Sequence, residues 1–178
     1  MLYETARLAS RRPIYTFLNL MTLSEATGAL KKFRRTPWKF QETFLTPKQR
    51  LSSYVAGIMS ANEKMNSGCV TIEQAVFEPT NLIKVLASHS FPPQYGCGLS
   101  VNATGQQELE NLLLAVFSDW IDFIFVPEPK LFGIYADHDE YTTFFAHTRS
   151  NLNRVVKALA EGGFEVIQGY ERHLWPRK

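Results

Sequence analysis

Apolar positions along this chain follow two periods, and the change from one to the other falls near residue 95. Upstream, Leu23, Ala26, Leu30 and Phe33 recur at the spacing of one helix face. They follow Thr22-Leu-Ser-Glu25, a capping box in which the Thr hydroxyl and the Glu carboxylate each satisfy an unpaired backbone N–H. Leu51, Tyr54, Val55, Ile58 and Met59 repeat the spacing behind Thr46-Pro47 and predict a helix reaching about residue 62, with proline at its first position. A third box, Thr71-Ile-Glu-Gln74, predicts a short helix that stops near Glu78, because Pro79 disfavours helical backbone in the residue before it. Leu82 to Ala87 adds another turn or two, ended by Phe91-Pro92-Pro93. In residues 1–20, Leu2, Ala6, Leu8 and Ala9 fit a short helix that Pro13 interrupts. The portion from 1 to about 92 is therefore expected to be mainly helical.

Downstream the period shortens to two. Leu99, Val101 and Ala103 alternate with Ser100 and Asn102 and predict a strand. Thr104-Gly-Gln-Gln107 then opens the clearest amphipathic helix of the chain, with Leu109, Leu112, Leu113, Val116, Phe117 and Trp120 along one stripe. Residues 121–147, IDFIFVPEPKLFGIYADHDEYTTFFAH, hold three runs of β-branched and aromatic residues separated by two turn signals, which predicts an antiparallel meander. Ser150 is the expected N-cap of a last helix carrying Leu152, Val155, Val156 and Leu159 and stopped by Gly162-Gly163. Phe164 to Tyr170 reads as a closing strand. With one meander strand omitted, the order matches β-α-β-β-α-β, the ferredoxin-like arrangement. The expected fold is α+β: one unit over residues 1–178, its helical portion packed on a two-layer antiparallel portion spanning about 97–175.

The meander raises a question of cover. Tyr135, Thr143 and Phe145 should point to one face, and Phe132, Ile134, Phe144 and Ala146 to the other. Both faces are largely apolar, and two helices seal only one. The N-terminal helices, a second copy of the chain or a protein partner must cover the rest, or a ligand pocket must form between the layers. Tyr135, Phe145 and Tyr141 are the residues expected to bind such a ligand or partner.

Composition sets limits on these readings. Apolar content of 45% and charged content of 20% belong to a folded globular chain. The longest apolar run, Leu112 to Val126, is broken by Asp119 and Asp122 and falls short of the roughly 20 residues a bilayer core requires. Arg11-Arg12 precedes a short apolar stretch that Asn19 breaks, without a cleavage signal, so the expected location is cytoplasmic and no membrane partner is expected. Residues 1–50 carry a net charge of +7 against +2 for the whole chain, which leaves −5 on the remainder. Such asymmetry marks a contact with an acidic partner, or mutual attraction of the two halves.

Candidate chemistry is sparse. Asp137-His138-Asp139-Glu140 gathers three carboxylates and an imidazole, which suits acid–base work or a divalent cation, and equally suits a solvated turn. His147 should lie roughly 20 Å from that turn if Asp137 pairs with Tyr141. His173 near Glu171 reads as a surface pair, and His89 has no partner legible in the sequence. Cys97, in Tyr95-Gly-Cys-Gly98, could act as a nucleophile only with His138 or His147 beside it, and Cys69 reads as a small buried hydrophobe. Lys31, Lys32, Arg34, Arg35 and Lys39, interleaved with Trp38, form a basic aromatic segment suited to single-stranded nucleic acid. On a helix end the same charges complement the dipole. The chain contains no nucleophile elbow, phosphate-binding loop or dinucleotide fingerprint, and neither cofactor nor metal is expected. The leading expectation is a non-enzymatic binding or regulatory protein with a protein partner or a second copy of itself. An enzyme centred on Asp137 to Glu140 and a nucleic-acid binder using residues 31–39 are the alternatives.

Overall fold

The computed structural model describes residues 17–92 and 97–174, and in them one seven-stranded sheet recruits strands from both ends of the chain. The elements are β1 (Phe17–Leu20), α1 (Leu23–Arg35), β2 (Phe40–Leu45), α2 (Leu51–Ser60), β3 (Ser67–Ala75) and α3 (Thr80–Ser88). After these come β4 (Ser100–Thr104), α4 (Gln106–Ser118), β5 (Ile121–Glu128), β6 (Gly133–Ala136), β7 (Tyr141–Ala146) and α5 (Arg149–Glu161). The strand order is β1-β4-β3-β5-β6-β7-β2, with every neighbouring pair antiparallel. The fold is α+β, and no helix among the described residues is long and apolar enough to cross a membrane.

The meander forms as its sequence pattern demands, and the two faces separate as expected. Phe132, Ile134, Phe144 and Ala146 enter the main core, which α2, α4 and α5 close together with Tyr54, Leu112, Val116 and Leu159. Burying each such side chain contributes about 1.5–3 kcal/mol relative to leaving it exposed, so this layer dominates stability. Phe145 and Ile124 join Phe33 of α1 in a smaller cluster on the opposite face, with Tyr135 packed against it. Of the N-terminal helices among the described residues, α1 alone covers that second face.

The mainly helical N-terminal portion is corrected: β1, β2 and β3 lie within it. Thr71-Ile-Glu-Gln74 is no helix start. It lies in β3, hydrogen-bonded between β4 and β5, where Val70 and Ile72 enter the core and the Thr71 hydroxyl bonds to Ser100 instead of capping. Thr46 is diverted likewise: its hydroxyl lies 2.6 Å from that of Thr142, and α2 begins at Leu51. The ferredoxin-like arrangement is also corrected. The strand that fills the gap between β4 and β5 is β3, from upstream, while the expected closing strand at Phe164 to Tyr170 makes a single bridge, Val166 to Phe44, outside β2.

Other boundaries hold or move by a few residues. The Thr22 capping box is present, with Glu25 N–H donating to the Thr22 hydroxyl at 3.3 Å and Thr22 N–H to the Glu25 carboxylate at 2.8 Å. α4 has Gly105 as its N-cap, whose φ of 102° a side chain would resist, and α5 is capped by Thr148 in place of Ser150. Pro79 offers α3 no cap, so Asp119 at the end of α4 supplies one, accepting Asn81 N–H at 3.1 Å and Leu82 N–H at 2.8 Å. The expected helix within residues 1–13 lies outside the described residues.

Candidate functional site

The part of the second face that α1 leaves open is a groove of about 670 Å³. Its floor follows from strand register. Asn19, Asn102, Cys69 and Val126 are successive partners across β1, β4, β3 and β5, and Phe17, Thr104, Ser67 and Glu128 form the next row. Alternation along each strand places both rows on one face. α1 supplies the wall through Ala29, Lys32, Phe33 and Thr36.

The far end is closed by aromatic rings. Trp38 lies 5.2 Å from Phe33 and stacks on His147 at 4.8 Å, and its indole N–H donates to the Phe33 carbonyl at 3.0 Å. These rings need Gly133 beneath them, because a Cβ there would sit 2.5 Å from Phe33 and 3.2 Å from Trp38. Lys32, Lys130, Glu128 and His147 also line the groove, and Met21, Ile124 and Val126 give it apolar surface. Cys69 lies in the floor with its sulfur 3.6 Å from that of Met21 and 3.7 Å from the Thr71 hydroxyl. Burial pushes its thiol pKa up, against the partial relief of the Thr71 and Ser100 hydroxyls, so the sulfur is a neutral lining atom rather than a nucleophile.

The residues expected to bind a ligand or partner lie elsewhere on the same face. Tyr135 carries the Arg172 guanidinium over its ring at 4.7 Å, Tyr141 stacks on Tyr170 at 4.9 Å, and Phe145 packs beneath Phe33 and Trp38. Arg172 also forms an ion pair with Asp137 and donates to the Thr143 hydroxyl at 2.9 Å. Gln41 holds the Arg172 backbone from both sides, accepting its N–H at 3.0 Å and donating to its carbonyl at 3.3 Å. The C-terminal segment is thereby strapped across β6, β7 and β2. Burial raises the Tyr135 pKa, with Asp122 adding to the effect and Arg172 opposing it.

The acidic turn does not converge on a ligand. Asp137 closes the hairpin, accepting Tyr141 N–H at 3.0 Å, and its other oxygen faces Arg172. His138 turns to buried Asp122, whose Oδ1 lies 2.7 Å from both its Nδ1 and its backbone nitrogen. Asp139 is exposed, and Glu140 pairs with Lys48. Among the described residues, no group of three or more His, Cys, Asp or Glu side chains is placed to hold a metal ion. The Asp122 hydrogen bond raises the His138 pKa, with desolvation opposing and the charges of Asp122, Asp139 and Asp137 adding to the rise.

The basic segment is divided. Arg34 pairs with Glu73 and Lys32 reaches the groove, while Lys31, Arg35 and Lys39 stand exposed and Trp38 turns inward. Exposed Cys97 precedes β4, three to four strand spacings from His138 and His147, or roughly 14–19 Å, which separates the thiol from both bases. His89 does have a partner, Glu108, at 3.0 Å. Sequence reasoning missed the groove because Phe17 and Asn19 belong to an unrecognised strand, and because Asn102 and Cys69 become neighbours only through the β3–β4 pairing. No protein family, curated protein or solved structure matches this chain.

Proposed function

We propose that this protein binds a small organic molecule in the groove between α1 and strands β1, β4, β3 and β5. The observation that carries the reading is the lining: apolar Met21, Phe33, Ile124 and Val126 together with the side-chain amides of Asn19 and Asn102, in a volume within the range of small-molecule sites. A concave, partly polar groove favours a small ligand over a flat protein partner. Glu128 and His147 are the one acid and the one imidazole among the described lining residues, and the amides and apolar side chains that make up most of the rest support a binding reading.

Anilinonaphthalene sulfonate, whose fluorescence rises in apolar surroundings, tests the reading. The expected result is saturable binding at a single site, lost in Ala29→Trp, which fills the groove from its helical wall. Unsaturable binding, or binding that survives the Trp side chain while the variant remains folded, sinks the proposal.

A further inference from the structure

We infer that the ligand of this groove is an organic anion, its charged group held at the Lys32–Lys130 end and its apolar body lying across the floor toward Asn19 and Asn102. The inference rests on the groove being the binding site and adds the chemistry of what enters it.

Charge is confined to one end of the groove. The charged lining residues belong to the β5–β7 side of the sheet: Glu128 ends β5, Lys130 follows it, His147 stands just past β7, and Lys32 adjoins Phe33, which lies over Gly133 of β6. Glu128 is the only acid among the lining residues, so the groove carries a net charge of +1 with His147 neutral. Neither lysine forms an ion pair among the described residues, whereas Arg34, two residues after Lys32 on α1, pairs with Glu73. An ammonium beside aromatic and aliphatic walls attracts an anion more strongly than the same group on open surface, because low-dielectric walls focus its field.

The opposite end is uncharged. Asn19 and Asn102 face each other across β1 and β4 and offer amide donors and acceptors. From β1 to β5 the floor crosses three strand spacings, roughly 14 Å. A ligand spanning it is therefore elongated: an anionic head, a body of two or three rings or an equivalent chain, and room for a polar group at the far end. Carboxylates, sulfonates and phosphate monoesters share the required head.

Two dyes that differ only in charge supply the test. Anilinonaphthalene sulfonate carries the anion on an apolar body, and N-phenylnaphthylamine has the same body without it. The purified full chain should bind the sulfonate about tenfold more tightly, and raised salt should erode that preference. The double variant Lys32→Gln/Lys130→Gln should lose most of the preference with the neutral dye changed less than about twofold, and Glu128→Gln should strengthen it. Equal affinity for the two dyes, or a preference that the lysine variant retains, overturns the anion inference while leaving groove binding intact. Failure of both dyes to bind the wild-type protein removes the groove reading and this inference together. Each variant's melting temperature is compared with the parent's, so that a folding defect is not mistaken for lost binding.

Discussion

Asp122 shows how one buried carboxylate fixes a local structure. Only 6% exposed, it sits at the start of β5 and takes two donors from His138, the backbone N–H and the ring Nδ1, so the β6–β7 turn is tied to the middle of the sheet. The hydrogen bond favours the imidazolium, and folding therefore takes up protons near neutrality. A histidine whose pKa is raised in the fold stabilises it fully below the ordinary value of about 6.5 and loses that contribution as pH rises through the raised value. Asp122→Asn removes the charge. The stability gap between wild type and this variant, from urea unfolding, should accordingly be wider near about pH 5.5 than near about pH 8.5. Proton titration of His138 by NMR should show its pKa lowered in the variant; an unshifted wild-type His138 would contradict the pairing. At this scale the sequence was half legible. Asp137 and Tyr141 were expected to pair, and Asp137 N–H does donate to the Tyr141 carbonyl at 3.1 Å. What the four-residue acidic motif could not reveal is that its partners come from Asp122, Arg172 and Lys48, up to 90 residues or so away, each neutralising a group that looked available for chemistry.

Elements with their own end signals were among those that sequence reasoning located. α1, α4 and α5 each combine an apolar stripe with a start or stop that local hydrogen bonding enforces, and all three formed within a few residues of their expected bounds. Strands failed where the same local chemistry misled. Thr71 and Gln74 have the spacing of a cap, but a capping box contributes about 1 kcal/mol, whereas β3 as a central strand buries Val70 and Ile72 and satisfies its backbone on both edges. Tertiary burial outweighs the cap. β2 gave no clear signal because its second-face positions, Gln41 and buried Thr43, carry polar groups whose partners, Arg172 and Thr143, lie 100 or more residues away. The Thr22 box, by contrast, has no competing strand partner. Thr22→Ala should cost about 1 kcal/mol in urea unfolding and accelerate hydrogen exchange in the first turn of α1. Unchanged exchange there would show that packing of Ala26 and Phe33 holds the helix without its cap. Because α1 is the wall of the groove, fraying its start should also weaken dye binding more than its small stability cost suggests.

At the scale of the molecule, the division at residue 95 that the hydrophobic periods suggest is not a structural boundary. The chain enters the sheet at one edge with β1, crosses to the other edge with β2, and returns to the centre with β3 before the C-terminal strands are laid down. β4 and β5 are not neighbours in the sheet; both bond to β3, which contributes registered pairs from Ser67 to Thr71 on one side and from Ser67 to Ala75 on the other. Helices obey the same logic, since α2 packs against both α4 and α5 in the main core. Charge follows it too: Lys48 of the basic first fifty residues meets Glu140 of the acidic remainder, as mutual attraction of the halves requires. A fragment starting at residue 97 retains every element of the antiparallel portion expected from sequence, and would fold if the change of period marked a structural division. It should instead show no cooperative unfolding transition, because removing β3 leaves the facing edges of β4 and β5 unpaired and strips Tyr54, Val55 and Ile58 from the core. Adding residues 1–92 as a separate polypeptide should restore a cooperative transition if both pieces associate, since the sheet's order demands strands from each. A fragment that unfolds cooperatively by itself would mean that β4 and β5 can pair without β3, and with them the groove would lose the row of side chains that β3 places in its floor.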